Sequence, residues 1–330
     1  MKIKHAALMV SYNQEKYIRK AIESVMDNEV VPDVFIIHDD KSTDNTWNII
    51  KEYAQRFPNI IKATQNKENL GIYGNMNSVY IEGIKTDCDI LSWCSGDDFW
   101  EKGLLNRFNN FIIKNKIDYK NEKFILVTNA VHLYPNGKKS IIDNYSLRNK
   151  SPRLCRLGKK LDFRDVGISR KVFDNFVPIR DDIGLASDTI FTVYKESNCE
   201  HWYFLNELGA YYRVNVGVVS GEKIQRLLES ESIAYKSLLE NNKYYKFDKK
   251  ELLIIKLWIY FDQLICTPNL KTWFYYIKFF FQNLCLNSSF LTNRMILCLL
   301  LPFVIKIMTN VRTIQKKYNL KRQMRKSCNL

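Results

Sequence analysis

Residues 89–100 read DILSWCSGDDFW. From Ile90 a short apolar run leads through a glycine to two adjacent carboxylates, Asp97 and Asp98. The run is too short for a helix of its own and reads as a buried strand. Side by side, the two carboxylates raise each other's cost of ionisation. A pair of hard oxygen ligands at a strand end suits Mg²⁺ or Mn²⁺, which keep coordination positions open for phosphate oxygens. Taken alone, two solvated turn aspartates would read the same way.

Upstream, the same strand-then-polar pattern occurs three times. HAALMV (5–10) runs into SYNQ, and VFIIH (34–38) into DDKSTDNT. IIKAT (60–64) precedes the Gly/Asn turn NLGIYGNMN. Between them, Tyr17, Ile18, Ala21, Ile22 and Val25 recur at helical spacing, as do Trp47, Ile50, Ala54 and Phe57. Strand–helix alternation with short polar links predicts an α/β fold: a Rossmann-like, mainly parallel sheet flanked by helices. Ligands bind such sheets at the carboxyl ends of the strands. The loops SYN, DDKSTD and GDD all fall at those ends and are expected to share one crevice, with Ser42–Asp44 capping the second helix.

Further along, FILVTNAVHLY (124–134) reads as another strand and 135–160 as a polar loop. FRDVGISRKVFDNF and SDTIFTVYKES read as short helical segments, and HWYFLNELGAYYRV as strand pairs. From about residue 222 strand patterns cease. The expected division is 1–221, an α/β domain, and 222–330, a helical region.

The 330 residues carry a formal net charge of +15, which favours anionic partners. The eight cysteines include no C-x-x-C pair, so neither zinc spacing nor a disulfide framework is indicated. The four histidines lack metal-ligand spacing, and no P-loop or G-x-S-x-G motif is present. With no apolar h-region at the N-terminus, reduced thiols and a cytoplasmic location are expected.

In order, VSYNQEKYIRKAIESV, VFIIHDDKSTDNTW, NLGIYGNMNSVYIEG and ILSWCSGDDFWEKGLL resemble the family-2 glycosyltransferases of GT-A fold. The resemblance is strong over 4–110 and weaker through GISRKVF, GLASDTIF and YYRVNVGVVS. It implies an inverting enzyme that moves a sugar from a nucleotide-sugar donor, usually a UDP-sugar. In the family the position of Asp39 contacts the nucleotide base, and Ser11 and Tyr12 match contacts beside it. SGDD occupies the D-x-D place, with Ser95 where many members carry the first aspartate. Asp97 and Asp98 are then the candidate metal ligands, with Asp97 also a donor contact; which of the two touches the ion and which the ribose stays open. Asp188 matches the catalytic base, with Ser187 replacing an acidic residue before it; Asp181 and Asp182 are rivals. Arg213 matches a residue directed at the diphosphate. The implied acceptor is a glycan or lipid-linked chain in cell-surface polysaccharide synthesis. Two alternatives stay open. A nucleotidyltransferase would need a Gly-rich loop after the first strand, which SYNQEKYIRK lacks. A catalytically inactive partner in glycan assembly fits the Ser95 and Ser187 departures.

The last third is rich in apolar side chains, but its longest uncharged apolar run, Met295–Ile305, is eleven residues. A membrane-spanning helix needs about 20. Thr309–Leu330 has seven basic residues and no acidic one. Apolar segments with basic flanks suit a helix lying on an anionic leaflet. The expectation is packing for 223–265, contact with an anionic membrane surface for 270–326, and a peripheral location on the inner face of the cell membrane. No nucleic-acid motif accompanies the basic tail, so no nucleic-acid partner is expected.

Overall fold

The structure is a computed structural model that describes residues 2–150, 167–176, 178, 187–214, 216, 224–266 and 270–282. The chain divides into two compact units, one ending at Glu222 and one beginning at Lys223.

The first unit is built on a nine-stranded sheet. Strands β1 (His5–Ser11), β2 (Val34–Asp39), β3 (Ile61–Gln65) and β4 (Ile90–Trp93) pair in parallel in the order β3-β2-β1-β4. All six β2 residues are buried, as expected for a central strand covered on both faces. Helix α1 (Ile18–Met26) buries Ile18, Ala21, Ile22, Val25 and Met26, the periodic residues of the sequence. Each large aliphatic side chain so buried contributes about 1.5–3 kcal/mol. Helices α2 (Thr46–Arg56), α3 (Gly71–Ile84) and α4 (Leu104–Lys114) follow the same logic. The core lies between α1, α2, α4 and the sheet, around Met9, Phe35, Ile37, Ile50 and Phe108.

Beyond β4 the sheet becomes mixed. The two-residue strand β5 (Phe99–Trp100) pairs antiparallel with the edge of β9 (His201–Arg213). Strand β6 (Phe124–Leu133) runs parallel to β9 and antiparallel to β7 (Lys139–Ile142) and β8 (Gly167–Ser169). Three readings of the sequence are corrected here. Part of the expected loop 135–160 is strand β7 followed by a 3₁₀ turn at Tyr145–Leu147. GIS in the segment read as helical is strand β8, inserted between β4 and β6. Three residues carry too little period to separate helix from strand, and pairing on both sides decides the matter. The expected strand pair at 201–214 is one 13-residue strand. Its Gly209 lies at a register irregularity against β6, where a Cβ would lie 1.9 Å from Thr128 Oγ1. Helix α5 (Ser187–Ser197) falls where it was read.

The second unit contains α6 (Ile224–Glu240), the short α7 (Asn242–Tyr245), α8 (Lys249–Cys266) and α9 (Leu270–Gln282). Tyr235 stacks on Trp258 at 6.5 Å, joining α6 to α8, and fully buried Tyr276 meets Phe261, joining α9 to α8. Packing therefore extends to α9, beyond the 265 expected. The opposite side of α9 leaves Leu270, Phe274 and Tyr275 exposed. No helix among the described residues is long and apolar enough to cross a membrane. The basic tail and the apolar run at 295–305 lie outside the described residues.

Candidate active site

Strands β1 and β2 end in register, Ser11 opposite Asp39. Asp39 is fully buried, and four donors meet its carboxylate. Ser11 Oγ (3.1 Å) and Ser42 Oγ donate to Oδ1; the Ser42 N–H and Gln65 Nε2 (both 2.9 Å) donate to Oδ2. An ionised carboxylate has about four acceptor sites, so all are engaged. Neighbouring Asp40 is equally inward. Its Oδ1 accepts from Asn66 Nδ2 (2.9 Å) and the Leu70 N–H (2.8 Å), tying β2 to the turn before α3.

The loop after β1 is clipped to the loop after β2. The Asn13 N–H donates to Ser42 Oγ (2.9 Å), Gln14 N–H to Thr46 Oγ1 (2.7 Å) and Glu15 N–H to Asp44 Oδ2 (3.1 Å). In return Thr43 N–H donates to Asn13 Oδ1 and Asn45 N–H to Glu15 Oε2. Asn13 and Lys41 both take the left-handed backbone conformation (φ 52° and 60°), unusual for side-chain-bearing residues and common where a site fixes its loops. The expected helix-capping role of Ser42 is corrected, since its hydroxyl is spent on Asp39 and Asn13. Asp44 receives the Thr46 N–H (2.9 Å) at the start of α2. Burial pushes the Asp44 pKa up, but hydrogen bonds from Thr46 and the Glu15 N–H outweigh it and hold the carboxyl below its ordinary value. Tyr12, at the mouth of this clip, is 43% exposed.

The turn after β4 completes the crevice. Gly96 lies against the β1 loop, where a Cβ would meet Gln14 Oε1 at 2.2 Å and the Val10 carbonyl at 3.1 Å, so a side chain there would displace Gln14. Asp98 is buried and Asp97 half-buried. Asp98 Oδ1 accepts the backbone N–H of Arg213 (2.8 Å), at the end of β9. The Arg213 guanidinium donates to the Asp97 carbonyl and sits between the rings of Tyr17 (5.0 Å) and Phe99 (4.8 Å). The three loops thus converge as read from the sequence, the first two clipped together by side chains and the third joined to β1 by the Gly96 N–H on the Val10 carbonyl.

The family model of glycosyl transferase family 2 matches residues 7–160, the span that contains most of β1, all of β2 and β4, and these loops. Residues 7–160 belong to that family. An uncharacterized protein of Mycobacterium tuberculosis is 38% identical over 92 residues, 28% of this chain and 26% of its own length. A protein named dTDP-rhamnosyl transferase RfbG, of Shigella flexneri, is 30% identical over 138 residues, 41% of this chain and 45% of its own length. The chain therefore aligns with less than half the length of these curated relatives. The fold is GT-A, like that of S. aureus TarS 1-349 solved in complex with UDP-GlcNAc: TM-score 0.62, 16% identity, 98% of this chain and 92% of that one.

Asp188, beyond the matched span, is the second residue of α5; its side chain lies outside the described residues, as do Asp181 and Asp182. The flank of α5 is nevertheless fixed to the crevice. Phe191 meets Tyr80 edge-on at 4.8 Å, Tyr80 stacks on Trp93 at 5.4 Å, and Trp93 Nε1 donates to Ser95 Oγ at 3.0 Å. An aromatic chain thereby connects the helix of Asp188 to the turn of Asp97 and Asp98. Sequence reading missed this chain, and missed Gln65 and Asn66, because uncharged residues at a strand end carry no motif. Among the described residues no cluster of three or more His, Cys, Asp or Glu side chains surrounds a common point. Asp97 and Asp98 offer carboxylate oxygens, the donor type that Mg²⁺ and Mn²⁺ prefer, and two such groups make at most a partial ligand set.

Proposed function

We propose that the domain transfers a sugar from a nucleotide-sugar donor, with inversion, to a glycan or lipid-linked acceptor in cell-surface polysaccharide synthesis. The observation that carries the proposal is the buried Asp39 carboxylate at the paired ends of β1 and β2, with Ser11 bonded to it and exposed Tyr12 beside it. A carboxylate there accepts the imide N–H of a uracil or thymine, a strong charge-assisted bond. Relatives support the donor class: one is named for dTDP-rhamnose transfer, and TarS was solved with UDP-GlcNAc.

All acceptor sites of Asp39 are engaged, so an arriving base must displace one donor. Gln65 Nε2 is the one to yield. It ends a long side chain that can swing away, whereas the Ser42 N–H belongs to the fixed loop and the two hydroxyls sit on short side chains beside the carboxylate.

Asp97 and Asp98 would hold Mg²⁺ or Mn²⁺; when bound, the ion neutralises the charge developing on the leaving nucleoside diphosphate. A structure of a Pyrobaculum calidifontis mannosyltransferase with GDP-mannose and Mn²⁺ gives this assignment a precedent in fold. Arg213 steadies the turn, its N–H on the Asp98 carboxylate and its guanidinium on the Asp97 backbone carbonyl. Asp188 removes the proton from the acceptor hydroxyl. The chain acts from the inner face of the cell membrane, with the exposed aromatic side of α9 and the basic tail toward anionic lipid.

The test is single-turnover transfer by Asp188→Asn. A base acts on the acceptor proton in the transition state, so turnover should vanish while nucleotide affinity stays near wild type. Near-normal turnover would remove Asp188 from the role.

A further inference from the structure

A second concavity of about 640 Å³ lies against α1, the end of α2, β5 and β7, on the far side of Phe99 from Arg213 and its Asp97–Asp98 contacts. Lys20, Arg56, Lys102 and Lys139 line it. All four are exposed, and among the described residues none pairs with a carboxylate. Three acids also line it, and two are held by phenols. Glu23 accepts Tyr53 O–H at 2.6 Å, and Glu101 accepts Tyr211 O–H at 2.6 Å. A carboxylate keeps acceptor capacity beyond one such bond. The aromatic rings of the groove are already covered. Phe99 stacks on Tyr211 at 4.6 Å with Lys20 at 5.5 Å, and Arg56 lies 5.1 Å from the Phe57 centroid.

We infer that this groove binds a hydroxyl-rich phosphate-ester chain, such as a phosphorylated sugar or polyol polymer. Unpaired ammonium groups attract the phosphates as point charges. Fixed carboxylate and phenol oxygens accept the hydroxyl protons. Single-stranded nucleic acid needs open aromatic faces on which bases stack, and these rings are occupied. Phe99 lines the groove and also carries the Arg213 guanidinium, so the groove adjoins the Asp97–Asp98 turn through one side chain.

The inference does not rest on sugar transfer, and binding tests it directly. A soluble oligo(glycerol phosphate) is titrated into the full chain at low salt, beside a neutral glucan, a single-stranded DNA oligomer of equal charge, and inorganic phosphate. The inference expects binding of the polyol phosphate, weakened by salt and absent for the glucan. Lys20→Gln combined with Lys139→Gln should weaken it about tenfold, as loss of two exposed charge contacts implies, with UDP affinity unchanged. Unchanged affinity in the double variant, full competition by UDP, equal or tighter binding of the DNA, or no binding to the wild type would each overturn it. Inorganic phosphate binding as tightly as the chain would reduce the groove to a simple anion site and overturn it as well.

Discussion

Arg213 holds Asp98 through its backbone: the N–H donates to Oδ1 at 2.8 Å, while the same residue's guanidinium takes the Asp97 carbonyl. One residue at the end of β9 therefore fixes the Asp98 carboxylate and the backbone of Asp97. Arg213→Ala keeps the backbone bond and loses the guanidinium contact and both ring contacts. Groups that orient metal ligands typically contribute 10–100-fold in metal affinity, so Mn²⁺-supported UDP binding should weaken by about that factor. Lysine should not restore it, since an ammonium cannot fill a planar slot between two rings. Calorimetry with and without Mn²⁺ decides. Equal weakening in both conditions would mean that Arg213 contacts the diphosphate itself.

Gln65 offers a prediction of opposite sign. Its amide donates to Asp39, and under the proposed function it would compete there with the nucleotide base. A neutral hydrogen bond contributes about 0.5–1.5 kcal/mol net, so Gln65→Ala should tighten nucleotide binding about two- to tenfold. Weaker binding in this variant would show that Gln65 itself holds the nucleotide.

The aromatic chain Phe191–Tyr80–Trp93 predicts a separation of kinetic effects. Tyr80→Leu keeps an apolar side chain but loses the stack on Trp93 and the edge contact with Phe191. The helix bearing Asp188 loses its fixed position while Asp39 keeps its partners. Turnover should fall about tenfold or more, with nucleotide Kd within about twofold of wild type, because misplaced catalytic groups cost rate before affinity. Parallel losses in both would assign Tyr80 a general packing role.

Acid should loosen the clip between the two crevice loops. The Asp44 carboxyl has a folded pKa below its ordinary 3.8. Its stabilising contribution is thus full above that value and is lost as pH falls through the depressed one. Buried His5 acts in the same direction from higher pH: desolvation lowers its pKa below 6.5, so protonation favours the unfolded chain as pH drops. Stability measured by denaturant from pH 7 to pH 3 should decline throughout, and Asp44→Asn should flatten the slope at the acid end. An unchanged acid limb in that variant would contradict the assignment.

What the sequence disclosed follows from what kind of signal each element carries. β1, β2 and β4 are continuous apolar runs that end in polar loops, and α1 shows a clean 3.6 period, so the parallel half was legible. Asp39, Asp97 and Asp98 were legible because a carboxylate at a strand end is conspicuous. GIS in β8 was not, because three residues have no period and acquire strand form only from β4 and β6 on either side. Arg213 was found by resemblance, yet its backbone bond to Asp98 comes from the antiparallel registration of β9 with β5, a long-range pairing that no local pattern records. The clip made by Asn13, Glu15, Ser42 and Asp44 likewise joins residues about thirty apart, where sequence shows only turn formers.

The central claim is that the crevice around Asp39 takes a nucleotide diphosphate. Calorimetric titration of UDP and dTDP into the full chain, with Mn²⁺, measures this directly, with Asp39→Asn as the comparison. The amide has one acceptor oxygen and brings two donors against Ser42 and Gln65, so it cannot reproduce the bond to an imide N–H. The account predicts saturable one-to-one binding of at least one of the two nucleotides by the wild type. It predicts loss of that binding in a folded Asp39→Asn protein. Binding that survives the substitution unchanged, or no binding of either nucleotide by the wild type, would contradict it.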